Sequence, residues 1–167
     1  MPGTPKHIRK HLLVNGIVQG VGFRPFIYGL AQDIGLTGFV SNTSAGVIIE
    51  VQGSEEQLLE FSQRLQTEAP PLSTITSTIE NEIISVSEEA FTIVASSDNT
   101  EISTLISPDV VLCNDCLQEL FDPEDRRHEY PFINCTNCGP RYTIIENIPY
   151  DRPYTSMKDF PLCPDCK

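Results

Sequence analysis

An α+β sandwich, with two helices on one face of a mixed sheet, is the fold that the sequence predicts for residues 1–95. Two observations predict the sandwich, and a third sets its C-terminal limit. An apolar stripe of helical period runs from Phe23 to Ile34, and two short strands of β-branched residues flank a turn at residues 43–46. All six cysteines lie after residue 112, which sets a second, metal-binding region apart from the sandwich.

The elements of the first half follow in order. Residues 8–15 predict a strand, and a glycine-rich loop over residues 16–22 leads into the first helix. The stripe in that helix recurs at i, i+3, i+4 and i+7, which is typical of one buried face, and Gly35 is a typical helix end. The stripe consists of Phe23, Phe26, Ile27, Leu30, Ala31 and Ile34.

The second half of the sandwich starts with strands at residues 36–42 and 46–52. Ser54 and Gln57 form a capping-box pair that predicts a second helix, which ends before Pro70. Residues 75–83 predict a long polar strand near an edge, and residues 91–94 predict the last strand. The order βαββαβ, with both helices on one face, is the ferredoxin-like arrangement.

Composition predicts three segments: a domain over residues 1–95, a linker over residues 96–107, and a cysteine-containing region over residues 108–167. The 167 residues carry 11 basic and 23 acidic side chains, a net charge of −12, which disfavours nucleic acid as a partner. No apolar run is long enough to cross a membrane, and the N-terminus lacks the apolar core of a signal peptide. We therefore expect a cytoplasmic protein.

The glycine-rich loop is the first chemical signal. Gly16, Gly20 and Gly22 surround a strand-to-helix turn, and Arg24 lies on the first turn of the helix. A helix N-terminus offers unsatisfied N–H groups and partial positive charge, and a guanidinium grips a phosphate with two parallel hydrogen bonds. The pattern fits an anion-binding site. The alternative is that the glycines only make a tight connection and Arg24 is solvated.

Two ordered motifs lie on the predicted elements: residues 16–24 (GIVQGVGFR), and residues 38–42 (GFVSN) followed by Gly46 and Gly53. They resemble the first and second signatures of the acylphosphatase family. The resemblance implies the ferredoxin-like sandwich and a phosphoryl group held by Arg24 and the amides of residues 19–24. It also implies that Asn42 positions the attacking water. The implied substrate-binding residues are Gln19, Gly20, Val21, Gly22, Phe23 and Arg24.

The cysteine spacing is the second signal. Cys113 and Cys116 form one CxxC pair, Cys135 and Cys138 form another, and 18 residues separate the pairs, which is typical of a structural zinc site. Gly139, directly after the second pair, favours a turn of positive φ. Disulfides and a redox pair are the alternatives, and the expected cytoplasmic location disfavours disulfides.

A third pair, Cys163 and Cys166, lies at the end of the sequence and supplies only two of the four ligands that zinc needs. We interpret it as the start of a second zinc site and the chain as the N-terminal part of a longer protein. His128 lies between the complete pairs and is interpreted as a solvated loop residue. No organic cofactor is expected in this chain.

Three motifs follow the acylphosphatase-like half: residues 113–120 (CNDCLQEL), residues 130–142 (YPFINCTNCGPRY) and residues 149–152 (PYDR). In this combination they resemble the HypF family of hydrogenase maturation carbamoyltransferases. The resemblance implies that the whole protein uses carbamoyl phosphate and ATP to build the cyanide ligands of [NiFe]-hydrogenase, with HypE as partner. It also implies two zinc fingers, and ATP-using and transferring domains downstream of this chain.

Two functions follow for the chain itself. One is an acylphosphatase-type hydrolase that acts on carbamoyl phosphate and carries a structural Zn²⁺. The other is a module that binds carbamoyl phosphate or phosphate without turnover and docks other proteins. Arg126, Arg127, Arg141 and Arg152 could form a ligand-binding or docking surface, and surface ion pairs with nearby carboxylates are the favoured interpretation.

Overall fold

Five strands form one mixed sheet in the order β4-β1-β3-β2-β5. They are β1 (Ile8–Ile17), β2 (Thr37–Thr43), β3 (Gly46–Gly53), β4 (Thr74–Ile83) and β5 (Phe91–Ile93). β1 is antiparallel to β3 and β4, β2 is antiparallel to β3, and β5 adds a short parallel edge beside β2. The computed structural model describes residues 7–96, 105, 110–135, 138–139, 141–160 and 164.

Two helices cover the sheet: α1 (Phe23–Ile34) and α2 (Glu55–Thr67). Gly35, at φ 80°, ends α1, and the predicted capping box of Ser54 and Gln57 begins α2. Their apolar faces and the inward faces of β1–β3 form one core, with side chains of Val14, Ile27, Ile49 and Phe61 fully buried. This is the predicted ferredoxin-like sandwich, with β5 at the place of the last predicted strand.

The long strand β4 lies at the edge of the sheet, as its polar sequence predicts. Most of its residues are exposed, and its only strand partner among the described residues is β1. Its sequence alternates short polar and β-branched residues with glutamates, which suits an edge that faces water on one side.

The second region contains one α-helix and two short 3₁₀ helices. Helix α3 (Asn114–Phe121) follows the first cysteine pair, and the 3₁₀ helices are Tyr142–Ile144 and Arg152–Tyr154. The sequence of residues 142–145 (YTII) favours a packed strand, but this expectation is wrong: Tyr142–Ile144 is a 3₁₀ helix, and of the four residues only Ile145 makes a β-bridge, to Thr155. An apolar run of four residues does not distinguish a strand from a short helix, and here the chain turns back on itself. His128 is exposed, as predicted.

The segment boundaries at residues 95 and 107 stay a prediction. Apart from Ser96 and Leu105, the predicted linker lies outside the described residues, and so do Cys163 and Cys166. Among the described residues, no helix has the length and apolar character needed to cross a membrane.

Gly38 in β2 is a position where the backbone conformation requires glycine. Its φ is +136°, and a Cβ there would lie 1.9 Å from the carbonyl oxygen of Glu50 on β3. We expect Gly38→Ala to lower the free energy of unfolding by about 2–4 kcal/mol, because β2 and β3 must separate or strain. Urea unfolding followed by far-UV circular dichroism measures the change.

Gly29→Ala is the matched control. Gly29 lies on the exposed side of α1, and an added Cβ meets nothing within 4 Å. Since alanine is the better helix former, this variant is expected to gain about 0.5–1 kcal/mol. Equal effects of the two substitutions would contradict the close approach at Gly38.

Candidate functional site

The loop between β1 and α1 is shaped by two glycines of positive φ. Gly20 has φ 72°, and Gly22, at φ 77°, is the N-cap of α1. Among the described residues, no side chain caps this end of the helix and none of the first-turn residues is acidic. Because the first N–H groups of a helix have no intrahelical partner, this end is suited to an anion.

Arg24 and Asn42, the two predicted catalytic residues, are in contact. Asn42 lies on β2 opposite Val47 and is 1% exposed. With its amide oxygen turned towards the guanidinium, Oδ1 accepts hydrogen bonds from Nε and Nη2 of Arg24, both at 3.2 Å. The sheet therefore positions the arginine through a buried neutral amide.

Gln19 joins the glycine-rich loop to the turn between β2 and β3. Its Nε2 donates to the carbonyl oxygens of Thr43 at 2.7 Å and Gly46 at 3.1 Å. Its Oε1 accepts from the backbone N–H of Tyr150, in the second region, at 3.0 Å. The side chain of this predicted binding residue thus holds three segments of the chain together.

The remaining predicted binding residues contribute backbone to the loop. The side chains of Val21 and Phe23 are each 1% exposed and belong to the core. Only their main-chain groups can face a ligand. Together with Gly20 and Gly22, they form the turn that leads to Arg24.

The second region adds a residue that the sequence did not single out. The carboxylate of Asp151 accepts from Nη2 of Arg24 at 2.7 Å, and it also accepts from the hydroxyl of Ser96. Asp151 falls in the stretch 149–152 that supported the HypF resemblance, but no sequence pattern predicts a pair 127 residues apart. The site therefore contains a carboxylate that neither acylphosphatase motif holds.

Gly139 also brings the second region to the loop. It has the predicted positive φ, 71°, and its N–H donates to the carbonyl of Cys135. A Cβ at this position would lie 3.4 Å from the carbonyl oxygen of Gly20 and 3.5 Å from Val21. The cysteine-containing turn therefore packs directly on the glycine-rich loop.

The four cysteines of the complete pairs form one cluster. Sγ of Cys113 is 3.4 Å from that of Cys135, Sγ of Cys116 is 3.7 Å from that of Cys138, and all four lie within 4.8 Å of one another. Four sulfurs around Zn²⁺ at ordinary bond lengths are about 3.8 Å apart. The residues thus fit a tetrahedral zinc site that leaves no position for a substrate.

The environments of two of these thiols differ. Burial, and then the neighbouring thiols, raise the pKa of Cys116. Burial also opposes ionisation of Cys138, but backbone hydrogen bonding at Cys135 and the Arg141 guanidinium, 3.2 Å from Sγ, outweigh it and lower its pKa to about 6. Of these two thiols, Cys138 is therefore the better prepared to meet a cation as thiolate.

The four arginines of the second region line a cavity of about 700 Å³ with Tyr130, Phe132 and Phe160. The predicted ion pairing is found for Arg127, which pairs with Glu119. It is not the bonding found for two others: Arg141 donates to Ile133 and Cys138, and Arg152 donates to the carbonyls of Met157 and Phe160. Backbone carbonyls in irregular segments have no hydrogen-bond partner within a helix or sheet. These guanidiniums supply that partner.

Comparison with known proteins yields two family matches. The acylphosphatase family model matches residues 10–93, and the HypF finger model matches residues 112–145. The chain is 49% identical over 164 residues to carbamoyltransferase HypF2 of Cupriavidus necator, an alignment that covers 97% of this chain and 20% of that protein. It is 39% identical over 64 residues to the acylphosphatase of Bacillus pumilus, covering 38% of this chain and 71% of that protein.

A solved structure shares the arrangement of both regions. The crystal structure of full-length HypF in the phosphate- and nucleotide-bound form superposes with a TM-score of 0.92 at 46% identity, and covers 99% of this chain and 22% of that one. The chain thus spans about a fifth of the length of the HypF proteins it matches.

Zinc content tests the cysteine cluster. We expect about one Zn²⁺ per chain, bound through the four thiolates, and loss of that metal in Cys116→Ser, because three thiolates do not close the tetrahedron. Elemental analysis of the purified chain after dialysis measures it.

Cys163→Ser serves as the control, since Cys163 belongs to neither of the two complete CxxC pairs. It should keep the metal. Retention of zinc by Cys116→Ser together with its loss from Cys163→Ser would show that the ligands are other than the four assigned.

Proposed function

The chain belongs to the acylphosphatase family and joins that domain to a HypF finger, and from this premise we propose that it binds and hydrolyses an acyl phosphate, carbamoyl phosphate in particular. The phosphoryl group would lie at the N-terminus of α1, between the amides of residues 19–24 and the guanidinium of Arg24. The phosphate-bound state named for the similar HypF structure supports an anion as ligand, and the HypF relationship supports a carbamoyl group as its acyl part.

One observation carries the proposal: the contact of Arg24 with Asn42 beside an uncapped helix end. A guanidinium, a buried amide and the first main-chain N–H groups of α1 converge there. The net charge of the protein is −12, so a local concentration of hydrogen-bond donors is a departure from the rest of the chain. Such a site lowers the activation barrier most for a reaction in which negative charge develops on a phosphoryl group during its transfer.

The reaction needs little more than positioning and charge stabilisation. A carbamoyl phosphate is a mixed anhydride with a good leaving group. Attack of water on phosphorus forms one P–O bond and breaks the bridging P–O bond, and it yields phosphate and carbamate. Arg24 and the loop amides would stabilise the equatorial oxygens, while Asn42, a neutral amide, would orient the water without taking its proton.

The proton of the attacking water would pass to a phosphoryl oxygen. The two family motifs contain no His, Cys, Asp or Glu, and the carboxylate that the fold adds, Asp151, accepts hydrogen bonds from Arg24 and Ser96. Both oxygens of that carboxylate are already engaged by donors, Oδ1 by Arg24 and Oδ2 by Ser96. The substrate is then the better acceptor.

The cysteine cluster is proposed as a structural zinc site. Its four ligands would be Cys113, Cys116, Cys135 and Cys138, and the metal would supply folding energy to a region whose described secondary structure is short. Reduced thiols are required, which is the condition of the cytoplasm, so a cytoplasmic location belongs to the same proposal.

Carbamoyl transfer is a property named for the relatives, of whose length this chain spans a fifth. We propose that the whole protein uses ATP and a HypE-type partner in building cyanide ligands, through segments that correspond to the rest of the relatives' length. Hydrolysis at Arg24 would then be the contribution of this region.

Arg24→Ala is expected to reduce kcat/KM for carbamoyl phosphate about a thousandfold, because the main cationic donor to the phosphoryl group is removed. Asn42→Ala should cost about a hundredfold, since it affects both the water and the orientation of Arg24. Phosphate release in a colorimetric assay measures both.

Arg64→Ala is the control, because Arg64 is a cation of the same domain that pairs with Asp33 and Glu68 on the outer side of α2. It should leave kcat/KM unchanged. Phosphate binding without turnover in the parent protein would favour the alternative function, a phosphate-binding and docking module, and turnover that survives Arg24→Ala would refute the assigned site.

A further inference from the structure

The carboxylate of Asp151 accepts a hydrogen bond from the same guanidinium, that of Arg24, to which the proposed function assigns the phosphoryl group. Its Oδ1 is 2.7 Å from Nη2 of Arg24, and its Oδ2 accepts from the hydroxyl of Ser96. Both side chains of the ion pair are 24% exposed, so the pair is largely, although not fully, removed from water.

The donors of Arg24 can be counted. Asn42 accepts from Nε and Nη2, and Asp151 accepts from Nη2, so the Nε hydrogen and both Nη2 hydrogens are engaged. A two-point grip on phosphate uses either the Nε and Nη2 edge or the Nη1 and Nη2 edge. Each edge includes an Nη2 hydrogen. Among the described residues only Nη1 is without a hydrogen-bond partner, so no two-point grip is available while Asp151 is bound.

Asp151 is held in this place by the contacts of its neighbours. The N–H of Tyr150 donates to Gln19 at 3.0 Å. The carbonyl of Asp151 accepts from the N–H of Tyr154, the last residue of the 3₁₀ helix that starts at Arg152. Gly139 packs on Gly20 nearby. The backbone on both sides of the carboxylate is thus held by hydrogen bonds, which place Asp151 beside Arg24.

Charge repulsion prevents the Asp151 carboxylate and a phosphoryl dianion from binding Arg24 at the same time. A carboxylate and a phosphoryl dianion repel each other at the few ångströms that separate ligands of one guanidinium, and the pair of Arg24 and Asp151 has no net charge to attract an anion. A dianion with several oxygens offsets the free-energy cost of displacing Asp151, because it accepts hydrogen bonds from Nη1, Nη2 and the loop amides. A carboxylate monoanion has fewer oxygens and less charge with which to do so.

We propose that Asp151 is a specificity-determining residue of the acyl-phosphate site, a built-in carboxylate that competes for Nη2 of Arg24 and that only a phosphoryl dianion displaces. The inference rests on the proposed function, because it takes Arg24 as the phosphoryl ligand. It makes the second region part of the site and predicts discrimination against carboxylates, the class to which the acyl product belongs.

The test is binding of inorganic phosphate and of acetate to the full chain, measured by isothermal titration calorimetry. Asp151→Asn is expected to tighten phosphate binding about fivefold and to make acetate binding measurable, because the competitor is replaced by a neutral amide. Asp159→Asn, which removes the same charge from an exposed position of the same region, should change neither.

The double variant Arg24→Ala/Asp151→Asn separates competition from a general loss of charge. If Asp151 acts on Nη2, its substitution should tighten phosphate binding far less when Arg24 is absent. Equal tightening in both backgrounds would overturn the proposal. Zinc content and circular dichroism verify that each variant is folded.

Other outcomes distinguish failure of this inference from failure of the proposed function. Weaker or unchanged phosphate binding in folded Asp151→Asn overturns the inference and leaves the proposed function standing. Phosphate binding and hydrolysis that are both insensitive to Arg24→Ala overturn the proposed function as well. If Asp151→Asn does not fold, Ser96→Ala, which releases the second carboxylate oxygen, should still tighten phosphate binding, and an unchanged affinity would overturn the inference.

Discussion

The guanidinium of Arg24 is the group on which the two halves of this chain meet. It is held from the sheet by Asn42 and from the second region by Asp151, at the N-terminus of α1. A guanidinium is planar and always charged, so partners on two edges define its orientation closely. These contacts fix three segments relative to one another: the glycine-rich loop, the end of β2 and the chain around residue 150.

Gln19 repeats this arrangement with a neutral side chain. Its amide donates to the turn between β2 and β3 and accepts from Tyr150. Buried amides are costly unless both ends are paired, and here each end has a partner in a different segment. The loop is therefore preorganised before any ligand arrives, which reduces the ordering that binding would otherwise require.

The cysteine cluster and the anion site are structurally continuous. Gly139 follows Cys138 directly and packs on Gly20, and Asp151 lies on the same side of the second region. A zinc site of four cysteines stabilises a segment that has little regular structure to stabilise itself. In this chain the cysteine-containing turn packs on the glycine-rich loop and Asp151 binds Arg24, so the second region shapes the electrostatics of the candidate active site.

The sequence by itself determined the sandwich, its capping box and edge strand, the two acylphosphatase motifs and the four-cysteine spacing. These depend on periodicity, turn chemistry and ligand spacing, which are local properties of the chain. Only the tertiary structure decided that residues 142–144 form a 3₁₀ turn, that Arg141 and Arg152 brace backbone carbonyls, and that Asp151 reaches Arg24. Contacts between residues more than a hundred positions apart arise from how two regions pack, and packing depends on surfaces that no local pattern records.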